Sequence, residues 1–408
     1  MSSKIAWLDQ SDEHQRQMRE AIGMFRDEGA VDELGMGRIR DAFSDRLFPG
    51  TSVLWRRARY LLFVPWIYLL IERGKGGRRS GEEQARQLQR RLARSLGEAG
   101  EAGRGVIGVG GADVKQPPDV ILWAALKTWG VRLDSGKLSQ VRASAAARGS
   151  RGGQLEDEVV EDSIWHPRVS RLMPDGFPTA ASFDLELDEA KFLAELIDSP
   201  DALPGTPGAA RADSLLAALL RDGLDADVEF PWLHSVPSAS PALADALHHA
   251  GCISDVLHGA RLLYAHLAAE SQKDDDLRDA VQDVFPEWVD LVERRRDELS
   301  TWVDGLDDFF ALVRGINRNV GRKEQSFVAA WAGFALADPA TLRDNVDARK
   351  LIVEREAHAK GLRKARLRLD GSVGRDAAAV LPDRLTFRWG QARWILDDIA
   401  RGLESSRA

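Results

Sequence analysis

Cysteine is nearly absent from this chain: Cys252 is alone among 408 residues. No intramolecular disulfide can form, and no cysteine-based zinc site is expected. A single thiol suits a reducing interior. Long apolar runs are lacking too. The longest, Tyr60 to Ile71, is interrupted by Pro65 and falls short of the ~20 residues that a membrane span needs. The N-terminal MSSKIAWLDQSDEHQRQ has no apolar core of a signal peptide. These absences lead us to expect a soluble, cytoplasmic protein with no membrane partner.

Catalytic signatures are missing as well. No GxSxG, HExxH or Ser-His-Asp arrangement occurs. The glycine-rich GVIGVGG, Gly105 to Gly111, lacks both the GK[ST] ending of a phosphate-binding loop and the strand that precedes a dinucleotide fingerprint. A flexible loop is expected there. No catalytic residue, metal ligand or cofactor is assigned, and the expectation leans away from an enzyme.

What the chain does have is apolar bulk and helical periodicity. Hydrophobic residues make up 44%, enough for a substantial core, and there are twelve Trp against three Tyr. Indoles bury large areas but want a partner for their N–H, so helix–helix seams are their expected place. Periodicity predicts helices from Asp9 or Ser11 to Glu28, Asp32 to Leu47, Thr51 onward with a kink at Pro65, Glu82 to Leu96, and Asp119 to Trp129. The C-terminal half reads as helical throughout, with Pro241 at a favoured first position. Strand signals are confined to Phe183–Leu187 and Arg384–Phe387. The expected fold is mainly α and multi-helical. It has a small helix-turn-helix-like N-terminal domain over 1–147, a linker at 148–180 rich in Gly, Pro and acids, and a larger helical C-terminal domain over 181–408.

Net charge is −8, which argues against indiscriminate nucleic-acid binding, but the charge is segregated. Arginines crowd the stretch from Arg56 to Arg104, including Arg86, Arg90, Arg91 and Arg94. A second basic block holds Arg363, Lys364, Arg366 and Arg368. Local patches decide electrostatic footing on DNA. The segment DELGMGRIRDAFSDRLFPGTSVLWRRARYLLFVPWIY, Asp32 to Tyr68, combines a helix, a Pro49-Gly50 break and a Thr-Ser cap. Thr51 or Ser52 could cap the next helix, whose N-terminus suits a phosphate. Arg56, Arg57 and Arg59 would fan outward while Leu54, Ala58, Leu61 and Leu62 pack inward. Thr51, Ser52, Arg56, Arg57 and Arg59 are therefore the candidate nucleic-acid-binding residues. The alternative is a plain helical hairpin whose arginines pair with Asp41, Asp45 or Glu33.

Two further constellations hold ligand-type side chains. Asp184, Glu189 and Lys191 hold an acid and an ExK pair, as restriction-type nucleases do for magnesium, but Asp188-Glu189 fit better as the acidic first turn of a helix. His248, His249, Cys252, His258 and His266 gather on one stretch. Imidazole plus thiolate could bind zinc, yet their spacing matches no closed site, and packed or hydrogen-bonded histidines are expected.

The motifs Trp7-Leu-Asp9, DELGMGRIRDAFSDRLFPGTS (Asp32 to Ser52) and RARYLLFVPWIY (Arg57 to Tyr68) resemble those of an uncharacterised bacterial family of about 400 residues that carries only a domain-of-unknown-function label. ILWAALKTWGVR (Ile121 to Arg132), FPWLH (Phe230 to His234), LHGARLLY (Leu257 to Tyr264) and RWGQARWIL (Arg388 to Leu396) extend the likeness over most of the chain. The resemblance implies no established activity. It implies company with DNA-modifying and helicase genes in phage-defence islands, hence partners among the subunits of such a complex. The expected function is a non-enzymatic, nucleic-acid-contacting accessory subunit of a bacterial DNA-processing or anti-phage system. The alternatives are a protein–protein interaction module without nucleic-acid contact and a cryptic magnesium-dependent nuclease.

Overall fold

The computed structural model describes residues 32–74, 79–108, 114–151, 163–199, 211–225, 227–367 and 379–405. The helix expected from Asp9 or Ser11 to Glu28 lies outside them. The described residues are mainly helical and contain no strand; only Ser52 with Trp55 and Arg132 with Trp165 form isolated bridges. The strands expected at Phe183–Leu187 and Arg384–Phe387 do not form. Side chains take some of their backbone groups instead of a ladder. The Phe183 amide donates to Glu101 Oε1 at 3.1 Å, and the Leu385 carbonyl accepts from Ser254 Oγ at 2.9 Å.

Contacts divide the chain into two units, each made of two segments: residues 1–43 with 246–390, and residues 44–245 with 391–408. The described part of the expected 148–180 linker carries a short helix, Pro167–Arg171, and buries Trp165 and Val169.

Helix α1, Gly37–Leu47, starts where Asp32 receives the exposed amides of Met36 and Gly37, both at 2.6 Å. The chain then leaves helical geometry until α2, Tyr60–Glu72. Its sequence YLLFVPWIYLLIE is apolar on every side, and such a helix must be covered all round. It is: every residue from Tyr60 to Ile71 is buried. Around it, within its own unit, pack α3 (Gly81–Glu98), α4 (Pro118–Thr128), α5 (Leu138–Arg151) and the short Pro167–Arg171 helix. The expected indole seams are here. Trp66 Nε1 donates to the Val169 carbonyl at 2.9 Å and Trp129 Nε1 to the Pro49 carbonyl at 3.0 Å.

Helix α3 is amphipathic by a different logic. Ser80 and Glu83 close a capping box at its start. Ala85, Leu88, Leu92, Ala93 and Leu96 recur at helical spacing and are buried, which leaves the arginines the opposite side.

The other unit is organised on α6, Pro241–Gln272, which the sequence opened correctly at Pro241. Asp275–Arg294, Arg296–Asp304, Leu306–Ile316, Arg322–Ala337 and Val346–Lys360 follow. Trp288 and Trp331 are the large buried anchors of this unit. Their indole N–H groups donate to the carbonyls of Asp255 at 2.8 Å and Val256 at 2.7 Å.

Candidate functional site

The five residues singled out as phosphate contacts do not form an outward face. Thr51 is buried and its hydroxyl donates back to the Phe48 carbonyl at 2.7 Å, so it caps no following helix. Ser52 Oγ accepts from the Leu54 amide at 3.2 Å within a tight turn. The next helix begins at Tyr60, not Thr51, and Arg56, Arg57 and Arg59 precede it in extended and turn geometry.

All three arginines are buried. Arg57 is 1% exposed; its Nε donates to Asp398 Oδ2 at 2.9 Å and its Nη1 to the Arg104 carbonyl at 3.0 Å. Its guanidinium lies 4.2 Å from the Phe183 ring centre. Arg59 pairs with Glu189 at 2.9 Å and donates to the Ser182 carbonyl at 3.1 Å. Arg56 donates to the Gly103 carbonyl at 2.8 Å and stacks over Trp394. The outward fan is therefore corrected. A guanidinium inside a protein requires carboxylates and carbonyls, and here distant segments supply them. Burial pushes the Asp398 and Glu189 carboxyls up, and their arginines oppose that shift. The carboxylates that hold Arg57 and Arg59 are Asp398 and Glu189, in place of the Asp41, Asp45 or Glu33 of the hairpin alternative.

The same pairing decides the geometry around Glu189. It lies on the helix Leu187–Asp198, is 2% exposed, and spends one oxygen on Arg59 and the other on the Glu186 amide at 3.0 Å. Asp184 and Lys191 are exposed. Two residues apart on a helix diverge by about 200°, so Glu189 and Lys191 do not converge on a common point.

Exposed positive charge lies on α3 instead. Arg86, Arg90 and Arg94 follow one another at i, i+4 and i+8, about 6 Å apart along the axis. Arg91 flanks them. Arg91 and Arg94 are exposed and have no ion-pair partner among the described residues. Arg86 pairs with Glu82 at 3.2 Å, in the helix's first turn. At the other end Arg104 is half exposed, and its Nη1 lies 3.4 Å from the buried Glu101. A shallow depression, open to solvent, lies beside Arg86 and Arg90 and is lined by Ile107, Pro117 and Pro118. The described part of the glycine-rich loop forms that border. It is tied down where the Ile107 amide donates to the Tyr60 hydroxyl at 2.8 Å; residues 109–111 lie outside the described residues.

The histidines separate into different roles. His249 Nδ1 accepts from Trp302 Nε1 at 3.0 Å, and His266 Nε2 lies 3.1 Å from Glu270. His258 is buried, and its pKa falls to about 3 because burial disfavours the imidazolium beside Arg261 and Arg384. His248 alone meets Cys252, and both meet Glu298, a residue that no sequence spacing connected to them. His248 Nδ1 is 3.4 Å from Glu298 Oε1, and Cys252 Sγ is 3.8 Å from His248 Nε2.

A family model matches residues 1–402. The chain belongs to the family of unknown function DUF6361. The likeness inferred from its motifs is therefore a family membership that extends from Trp7 past the RWGQARWIL segment. No curated protein and no solved structure matches the chain. Among the described residues no helix is long and apolar enough to cross a membrane.

Proposed function

We propose that this DUF6361 protein contacts nucleic acid through the arginine face of α3, as a non-enzymatic accessory subunit of a bacterial DNA-processing or anti-phage assembly. One observation carries the reading: Arg91 and Arg94 stand exposed and unpaired beside Arg86 and Arg90, on a helix whose other side is anchored in the core. Phosphate recognition needs guanidiniums held at fixed positions yet open to solvent. The chain's net charge of −8 would repel a polyanion elsewhere and so confine contact to this face. The setting in a defence or DNA-processing system rests on the company implied by the family likeness.

Fluorescence anisotropy with duplex and single-stranded DNA and with RNA tests it. Double replacement of Arg91 and Arg94 by Ala should leave the fold intact, because neither side chain is packed. Affinity should fall similarly across sequences, and the slope of log K against log salt should flatten by about 1 for each phosphate contact removed. Unchanged affinity, or binding that ignores salt, would count against contact through α3 and in favour of a protein-docking module.

A further inference from the structure

We propose that His248, Cys252 and Glu298 form a binding site for a borderline divalent transition metal of the zinc class, with a fourth position open to solvent. His248 and Cys252 are four residues apart on α6, so their side chains leave the same face. Glu298 reaches them from the helix Arg296–Asp304.

The distances suit one ion. Cys252 Sγ lies 4.0 Å from His248 Nδ1 and 3.9 Å from Glu298 Oε1, and His248 Nδ1 lies 3.4 Å from that same oxygen. Tetrahedral bonds of about 2.0 Å to nitrogen and oxygen and about 2.3 Å to sulfur put the donors roughly 3.3–3.6 Å apart. The three atoms thus sit within about half an ångström of the edges that zinc requires. A thiolate, an imidazole and one carboxylate oxygen do not suit magnesium or calcium, which take oxygen donors.

The surroundings hold the donors in place. Arg295 grips Glu298 with Nε at 2.8 Å from Oε2 and Nη2 at 2.6 Å from Oε1. A carboxylate oxygen carries two lone pairs, so Oε1 keeps one for the metal while Arg295 fixes its orientation. Arg295 is itself anchored by the fully buried Asp255, which also holds Arg384. Burial pushes the Cys252 thiol up to about 12; Arg295, with Nη2 3.6 Å from Sγ, opposes that shift, and a bound metal must displace the thiol proton. Once the metal has displaced the thiol proton, Asp255, Glu298 and Cys252 outnumber Arg295 and Arg384, so the bound cation faces one net negative charge. Access is one-sided. The His248 and Glu298 side chains are 46% and 43% exposed, while Cys252 is buried beneath them. Water can therefore fill the remaining position.

The test is a titration of the untagged, full-length protein with Co²⁺, followed by competition with Zn²⁺. One equivalent of Co²⁺ should bring up the near-ultraviolet thiolate-to-cobalt charge-transfer band and the intense visible bands of tetrahedral cobalt, and Zn²⁺ should abolish both. Cys252→Ser should bind cobalt without the charge-transfer band. His248→Ala and Glu298→Gln, both at exposed side chains, should weaken binding about tenfold or more. Circular dichroism of each variant without metal should match the parent. Cobalt bound without a charge-transfer band in the parent, affinity unchanged in His248→Ala, or no binding at stoichiometric metal would each overturn the site and leave an exposed His–Glu pair over a packed thiol.

Discussion

Arg57 and Asp398 meet across 341 positions of chain, with Nε 2.9 Å from Oδ2 and both side chains 1% exposed. The same carboxylate oxygen accepts the Ala58 amide at 3.0 Å, and its other oxygen accepts from Arg401 at 3.1 Å. Asp398 therefore fastens the turn that leads into α2 to the last helix of the chain, Trp389–Glu404. Removing one partner of a buried pair strands the other's charge, which typically costs about 3–5 kcal/mol. Asp398→Ala should lower the unfolding free energy by that order, measured by urea unfolding. Arg57→Ala should do the same, and any loss of nucleic-acid binding it causes should track unfolded protein. Arg57→Ala that melts like the parent yet loses binding would return this residue to the phosphate interface.

The second prediction concerns Trp66 on α2. Its ring is fully buried against Phe63 and Phe177, and its N–H is spent on Val169. Trp→Ala in a core costs ~3–5 kcal/mol, and the Val169 carbonyl would lose its donor. Trp66→Ala should therefore unfold at markedly lower temperature, with Trp66→Phe intermediate because it refills much of the volume. Equal melting of Trp66→Ala and parent would show that the helix is not enclosed.

How much of this was legible in the sequence depends on how far each residue's partner lies along the chain. Helix α3 was read almost to its ends, because its cap, apolar spacing and arginine face are all local. The enclosure of Tyr60–Tyr68 was legible for the same reason: a helix apolar on all sides has only one fate. The start of α2 was not legible. Thr51 looked like a cap, but its hydroxyl bonds backward to Phe48, and nothing local foretold that. The inward turn of Arg57 and Arg59 was invisible because their carboxylates come from Asp398 and Glu189. A cluster of arginines reads as a surface until its anions are located. Cys252 and His248 were noticed together, whereas Glu298, 46 positions from the cysteine, had no signal of its own.

A third prediction follows from Gly259, in the middle of α6. A β-carbon there would stand 2.1 Å from the Trp288 ring, which is held in place by its bond to the Asp255 carbonyl. On an isolated helix Gly→Ala stabilises by about 1 kcal/mol. Here the ring would have to move, and overpacking of this kind costs typically 1–3 kcal/mol. Gly259→Ala should thus destabilise the protein, and Trp288 fluorescence should shift as the indole is displaced. A stabilised Gly259→Ala would mean that the two helices stand further apart.

The last prediction is a dependence of stability on pH through His258. Burial holds its pKa at about 3, with Arg261 and Arg384 adding to the effect, and its Nδ1 has no hydrogen-bond partner. In the unfolded chain an ordinary histidine titrates near 6.5. Between those values the unfolded state binds a proton that the folded state refuses, so stability falls as pH drops below about 6.5. The slope is about 1.4 kcal/mol per pH unit for one such group. The buried carboxyls Asp255, Glu189 and Asp398 act in the opposite sense: their raised values contribute stability that is present at low pH and lost as pH rises. A variant is therefore needed to isolate the histidine. In urea unfolding from pH 7 to pH 5, the parent should lose stability faster than His258→Gln, the two curves converging as pH falls. Parallel curves would mean that His258 takes up its proton in the folded state and is not enclosed as described.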